Sequence, residues 1–139
     1  MTTTSVVPES IVAVTLGARD IAAQRRFYEA WGWKAVPYST DEYVAFTLAG
    51  TMLAFYVADK LTEEASPGSS APPSGAWKGV TLAVNVPARD DVNPTWQSAV
   101  SAGATPVSEP VDRAWGGRSG YLADPEGNRW EIAWIPPMA

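Results

Sequence analysis

Two stretches of this chain run in parallel. Arg19-Asp20 to Gly32 is matched, at similar spacing, by Arg89-Asp90 to Gly103, and AFTLAGTMLAF is matched by GYLADPEGNRWEI, hairpin against hairpin. Each copy reads as a strand, a helix and three further strands. A unit this short cannot bury both faces of its own sheet, so the copies are expected to pair. The expected fold class is α+β: two paired βαβββ modules forming a curved mixed sheet with an internal cleft. Residues 1–10 read as a lead-in, 11–58 as the first module, 59–78 as a Pro/Gly/Ser-rich linker and 79–139 as the second module. At 139 residues this is one single-domain fold, long enough to bury about two-thirds of its unfolded surface.

Within the first module, Ile11 to Ala18 is rich in β-branched residues and reads as a strand. Alternation puts Val12, Val14 and Leu16 on one face and Ala13, Thr15 and Gly17 on the other. Asp20 suits an N-cap, Ile21 to Trp31 has helical spacing, and Gly32 suits the stop. Trp33–Ser39, Tyr43–Ala49 and Thr51–Ala58 read as strands. In the second module, Val80–Val86 is the first strand, and Asn93-Pro94 resembles a cap with proline at the first helical position. Gly103 ends that helix. Thr105–Ser108, Arg118–Ala123 and Arg129–Ile135 follow as strands. Between the last two, Asp124-Pro125-Glu126-Gly127-Asn128 is a tight turn, with Pro125 presetting φ and Gly127 free to take φ > 0.

Composition removes whole classes of chemistry. The chain has no histidine and no cysteine, so imidazole- and thiolate-based catalysis is excluded, and any metal would need oxygen ligands alone. A net charge of −5 argues against nucleic acid or an anionic membrane as partner. No apolar run reaches the ~20 residues that span a bilayer, and the N-terminus lacks signal-peptide character, so a cytoplasmic location is expected.

The duplicated unit, LGARDIAAQRRFYEAWGW and WGGRSGYLADPEGNRWEI, in that order, resemble the glyoxalase/bleomycin-resistance/extradiol-dioxygenase superfamily, also called vicinal oxygen chelate proteins. The resemblance covers roughly residues 11–135. It implies a homodimer, and in metal-dependent relatives it implies one ligand from each of four strands. Carried over by motif position, those ligands fall at Ala13, Ala54, Thr81 and Glu131. Only Glu131 could bind a metal well, so no cofactor is expected; a divalent metal would need an atypical oxygen-only site. The small, neutral residues sharing this face suggest a roomy, metal-free pocket.

Glu131 can be read as a metal ligand, a general base, a ligand anchor, or a structural carboxylate paired with Arg113, Arg118 or Arg129 or simply exposed. Arg113 and Arg118 could grip an acidic group, and Trp115, before Gly116-Gly117, could stack on a flat ligand. Thr15, Tyr56, Thr81 and Asn85 complete the expected ligand-binding set. Trp31 and Trp96 are expected in the helix core, and Trp130 and Trp134 in the sheet core, opposite Glu131. The expected function is binding of a small molecule, aromatic or cationic, as in antibiotic sequestration or resistance. The alternative is a lyase, isomerase or dioxygenase of the same superfamily, with Glu131 as base or in an atypical metal site.

Overall fold

Both halves follow the same path, the first strand of a module lying parallel to its last, although the first half has three strands and the second four. The computed structural model describes residues 6–137. β1 (Ala13–Ala18) leads to Asp20, whose Oδ1 accepts from the Ala23 amide at 2.9 Å and caps α1 (Ile21–Trp31). Gly32 ends α1 at φ 123°, a conformation costly for any residue with a Cβ. β2 (Tyr43–Leu48) and β3 (Thr51–Val57) form a hairpin, and β1 adds parallel to β3. The second half supplies β4 (Thr81–Asn85), β5 (Thr105–Asp112), β6 (Arg118–Ala123) and β7 (Arg129–Trp134). Here β4 lies parallel to β7 and the order is β4-β7-β6-β5, so the α+β fold divides its strands between a three- and a four-stranded sheet.

Local readings depart from the structure at four places. Trp33–Ser39 is not a strand; it makes a single bridge, Ala35 to Phe46, because Pro37 lacks the N–H for a ladder and Ser39 N closes a turn onto Val36 O. The supposed linker opens with α2 (Ala58–Ala65), whose sequence ADKLTEEA consists mostly of good helix formers. α3 (Val92–Ala102) starts before Asn93, after a 3-10 turn at Arg89–Asp91. Asn93 gives its side chain to Arg118 instead, and Pro94 sits in the first helical turn, where no N–H partner is needed. β5 runs on to Asp112 through two register shifts, and Gly120 lets it pass: a Cβ there would stand 2.8 Å from Pro110 N.

The core gathers around Tyr28 on α1. Its ring stacks on Phe55 (5.3 Å) and Trp33 (5.5 Å) and meets Phe46 from the first sheet and Trp130 from the second. Trp33 is thereby drawn into the core. Trp31, Trp96, Trp130 and Trp134 also pack there, as their spacing implies. The Tyr28 hydroxyl donates to Asp124 Oδ2 at 2.6 Å and accepts from Trp130 Nε1 at 2.8 Å. Buried Asp124 also takes Gln24 Nε2 (2.8 Å), Asn128 Nδ2 (2.9 Å) and the amides of Glu126 and Asn128 (2.9 Å each). No helix of the described residues is long and apolar enough to cross a membrane.

Burial, reinforced by the Asp124 charge and hydrogen bond, pushes the Tyr28 phenol well above its ordinary 10.0. The folded protein therefore keeps a proton that the unfolded chain releases. That contribution is whole below about pH 10 and is lost as pH climbs toward the folded-state value. Tyr28→Phe should cost about 1.5–3 kcal/mol at neutral pH, seen as a lower urea midpoint at unchanged slope. The variant should also lose less stability than the wild type above pH 10; equal alkaline slopes would refute the assignment.

Candidate functional site

Each sheet has one face on the common core and an opposite, open face. On the first sheet, register aligns Thr15, Ala54 and Ala45 across the open face, with Tyr56 between Gly17 and Tyr43. Ala45 and Ala54 are fully buried, because Val36, Tyr43 and Met52 close over them. The room expected above Ala54 is thus filled by residues of its own sheet and the preceding turn. Tyr38 stacks on Tyr43, and Tyr43 meets Tyr56 edge-on. Ala13 lies beside Met52, one alternation from the Thr15–Ala54 pair.

On the second sheet, Glu131 lies between Ala83 of β4 and Tyr121 of β6. It forms an ion pair with none of Arg113, Arg118 or Arg129 among the described residues; its Oε2 accepts from the Tyr121 hydroxyl at 3.0 Å. Arg113 places its guanidinium carbon 5.7 Å above the Tyr121 ring, braced by Ser119, to whose Oγ and backbone O it donates at 2.9 and 3.1 Å. Burial raises the Tyr121 phenol, the hydrogen bond to Glu131 and its charge add to this, and Arg113 opposes them.

The other expected site residues scatter. Thr81 and Asn85 are exposed on β4, at the sheet edge, beside Arg129 and Ala133. Arg118 spends its donors on Asn93, Asp112 and the Pro110 carbonyl, tying β6 to α3 and β5. Trp115 is 53% exposed, its indole close against Gly117, where a Cβ would fall 1.9 Å from the ring. Tyr121 and Ser119 carried no role in the sequence reading. The signal for Tyr121 was present: it and Glu131 stand equally far from Glu126 at the centre of the turn, which makes them a cross-strand pair.

Glu131 is the only carboxylate on β1, β3, β4 and β7, and the described residues contain no group of three acidic side chains that could hold a metal. One carboxylate already bonded to a phenol does not fit a divalent cation, which takes several oxygen ligands. What the cluster does offer is an anion, a hydroxyl and a guanidinium on one face. Glu131→Gln should bring the Tyr121 phenol down toward its ordinary range, and Arg113→Met should push it further up, read by ultraviolet titration of tyrosinate. Unchanged titration in both would separate Tyr121 from these charges.

Residues 10–132 match the glyoxalase/bleomycin resistance protein/dioxygenase superfamily. The fold is similar to that of a glyoxalase-related enzyme from Fulvimarina pelagi, with 31% identity, TM-score 0.82, and 95% of this chain and 94% of that one covered. A glyoxalase/bleomycin resistance protein/dioxygenase family enzyme from Burkholderia phytofirmans shares the fold at 21% identity and TM-score 0.76, over 91% of this chain and 99% of its own. An uncharacterised protein of Mycobacterium bovis is 45% identical over 42 residues, which are 30% of this chain and only 28% of that protein's length. A match across nearly the whole chain, with the duplicated topology it requires, means that the protein belongs to the glyoxalase/bleomycin resistance protein/dioxygenase superfamily.

Proposed function

We propose that this member of the superfamily binds a small cationic or aromatic molecule without a metal, in the manner of antibiotic-sequestering proteins. The observation that carries the reading is the state of Glu131. Its carboxylate is held in place by one phenol, and Oε1 has no hydrogen-bond partner among the described residues. It is thus an anchor with acceptor capacity to spare. Sequestration needs affinity only, so Ala13, Ala54 and Thr81 at the expected ligand positions cost it nothing. Tyr121 adjoins the anchor, Arg113 lies over Tyr121, and exposed Trp115 offers an apolar surface in the turn that follows Arg113. A net charge of −5 would draw a cation toward it.

A homodimer in the cytoplasm belongs to this proposal. The sheets end in β1 and β2 and in β4 and β5, of which β2 carries the Ala35 bridge, and a second copy could add to an open edge. A dimer of this chain adds no imidazole or thiolate, so the oxygen-only limit on a metal site would hold there too.

A second reading, an enzyme, is favoured by the same Tyr121–Glu131 contact. A carboxylate beside a phenol can take a proton from a bound substrate while the phenol holds its orientation. The likeness to a protein described as a glyoxalase-related enzyme points the same way.

Tryptophan fluorescence titration with a panel of cationic and aromatic natural products should find a ligand, and Glu131→Ala should weaken a cationic one by about ten- to a hundredfold. No quenching across the panel would end the sequestration reading. Elemental analysis of wild type and Glu131→Ala, after incubation with divalent metals, should show no stoichiometric metal in either. Metal lost only from the variant would overturn the metal-free reading.

A further inference from the structure

The segment after β3 rebuilds one end of the first sheet's open face into a cavity. α2 lies across the end of β1, where a Cβ on Gly17 would come within 3.3 Å of Ala58 Cα. The chain then returns over residues 72–78, and a cavity of about 200 Å³ remains beneath it. Thr15 and Gly17 form its floor, Leu61 and Thr62 a wall, and Pro72 and Gly75 the roof.

Two contacts seat that roof. Arg19 Nη2 donates to the Pro72 carbonyl at 2.6 Å. The backbone of Gly75 rests on Gly127, so closely that a Cβ on Gly127 would stand 2.7 Å from Gly75 Cα. Nothing from the Arg113–Tyr121–Glu131 cluster lines the cavity, which is independent of the reading above.

Its charge is unusual for an acidic protein. Arg19 and Lys78 both line it, and neither forms an ion pair among the described residues. The one carboxylate in the lining, Glu126, is already engaged: Oε1 accepts from the Arg19 amide at 2.9 Å and Oε2 from the Asp20 amide at 3.0 Å. Two cations and one carboxylate that is already turned to backbone amides therefore share a small cavity, which keeps an excess of positive charge beside largely apolar walls.

We propose that this cavity binds a small monocarboxylic acid, its carboxylate on Lys78 and Arg19 and its apolar body against Leu61 and Pro72. The bulk of the walls argues for an acid with an apolar body over a fully hydrated inorganic anion, which would leave them unused.

Isothermal titration calorimetry with benzoate as the probe tests this, with benzamide and inorganic phosphate as controls. The wild type should bind benzoate at least about tenfold more tightly than neutral benzamide, because a charge-assisted contact is lost in the amide. Lys78→Gln, on an exposed side chain, should weaken benzoate about tenfold or more, and Glu131→Gln should leave it unchanged. Benzoate should shift the backbone amide resonances of Gly17, Thr62 and Gly75. Absence of benzoate binding, equal binding of benzamide, or tighter binding of phosphate would overturn the proposal. So would undiminished affinity in both Lys78→Gln and Arg19→Gln, or amide shifts confined to the Tyr121–Glu131 face.

Discussion

The buried carboxylate of Asp124 is the contact on which the rest of the molecule depends. A desolvated carboxylate is costly unless its lone pairs are filled, and here they are filled from two places at once. The turn between β6 and β7 wraps its own amides and Asn128 around Asp124, while α1 reaches across from the other module with Gln24 and Tyr28. The hydroxyl that completes the set also receives the Trp130 indole. One polar knot therefore sets the position of the first helix against the second sheet. The aromatic rings around it contribute the area, and the knot contributes the register. Glu126, two residues on, repeats the theme on the surface by accepting from the amides that open α1.

With the modules locked in this way, their open faces take different characters. The first is closed over Ala54 by its own tyrosines and Met52, with a cavity near β1, under α2 and the returning chain. The second keeps a polar cluster, Arg113, Tyr121 and Glu131, supported by Ser119. Duplication supplies the same scaffold twice, but the side chains on it have diverged: Ala54 faces Thr15 where Glu131 faces Ala83. A superfamily defined by a shared scaffold accommodates many chemistries for this reason, and the site must be argued from its own residues.

Much of the architecture was legible in the chain. Asp20 and Gly32 bound α1, Gly103 ends α3, and the Asp-Pro-Glu-Gly-Asn turn closes the last hairpin, because caps and turns are decided by residues within a few positions of one another. Strand alternation separated Glu131 from Trp130 and Ile132 for the same reason. The readings that failed were those where a short-range signal was diluted or overruled. ADKLTEEA was hidden in a segment otherwise rich in Pro, Gly and Ser, and Asn93 gave up its capping role to a distant arginine. Trp33 left a strand position for a place beside Tyr28.

By itself the sequence determined the duplicated topology, the faces of the strands, and the donor chemistry available: no imidazole, no thiolate, and a single carboxylate on four key strands. These follow from periodicity and composition, which need no knowledge of how elements meet. Only the tertiary structure decided that Glu131 is held by Tyr121 and, among the described residues, by no arginine, that Tyr43 and Met52 fill the space above Ala54, and that Arg19 and Lys78 share a cavity. Long side chains such as arginine and tyrosine can reach several partners from one backbone position. Which partner they take depends on the packing angles and strand register set by residues up to a hundred positions away, as the bond from Gln24 to Asp124 illustrates.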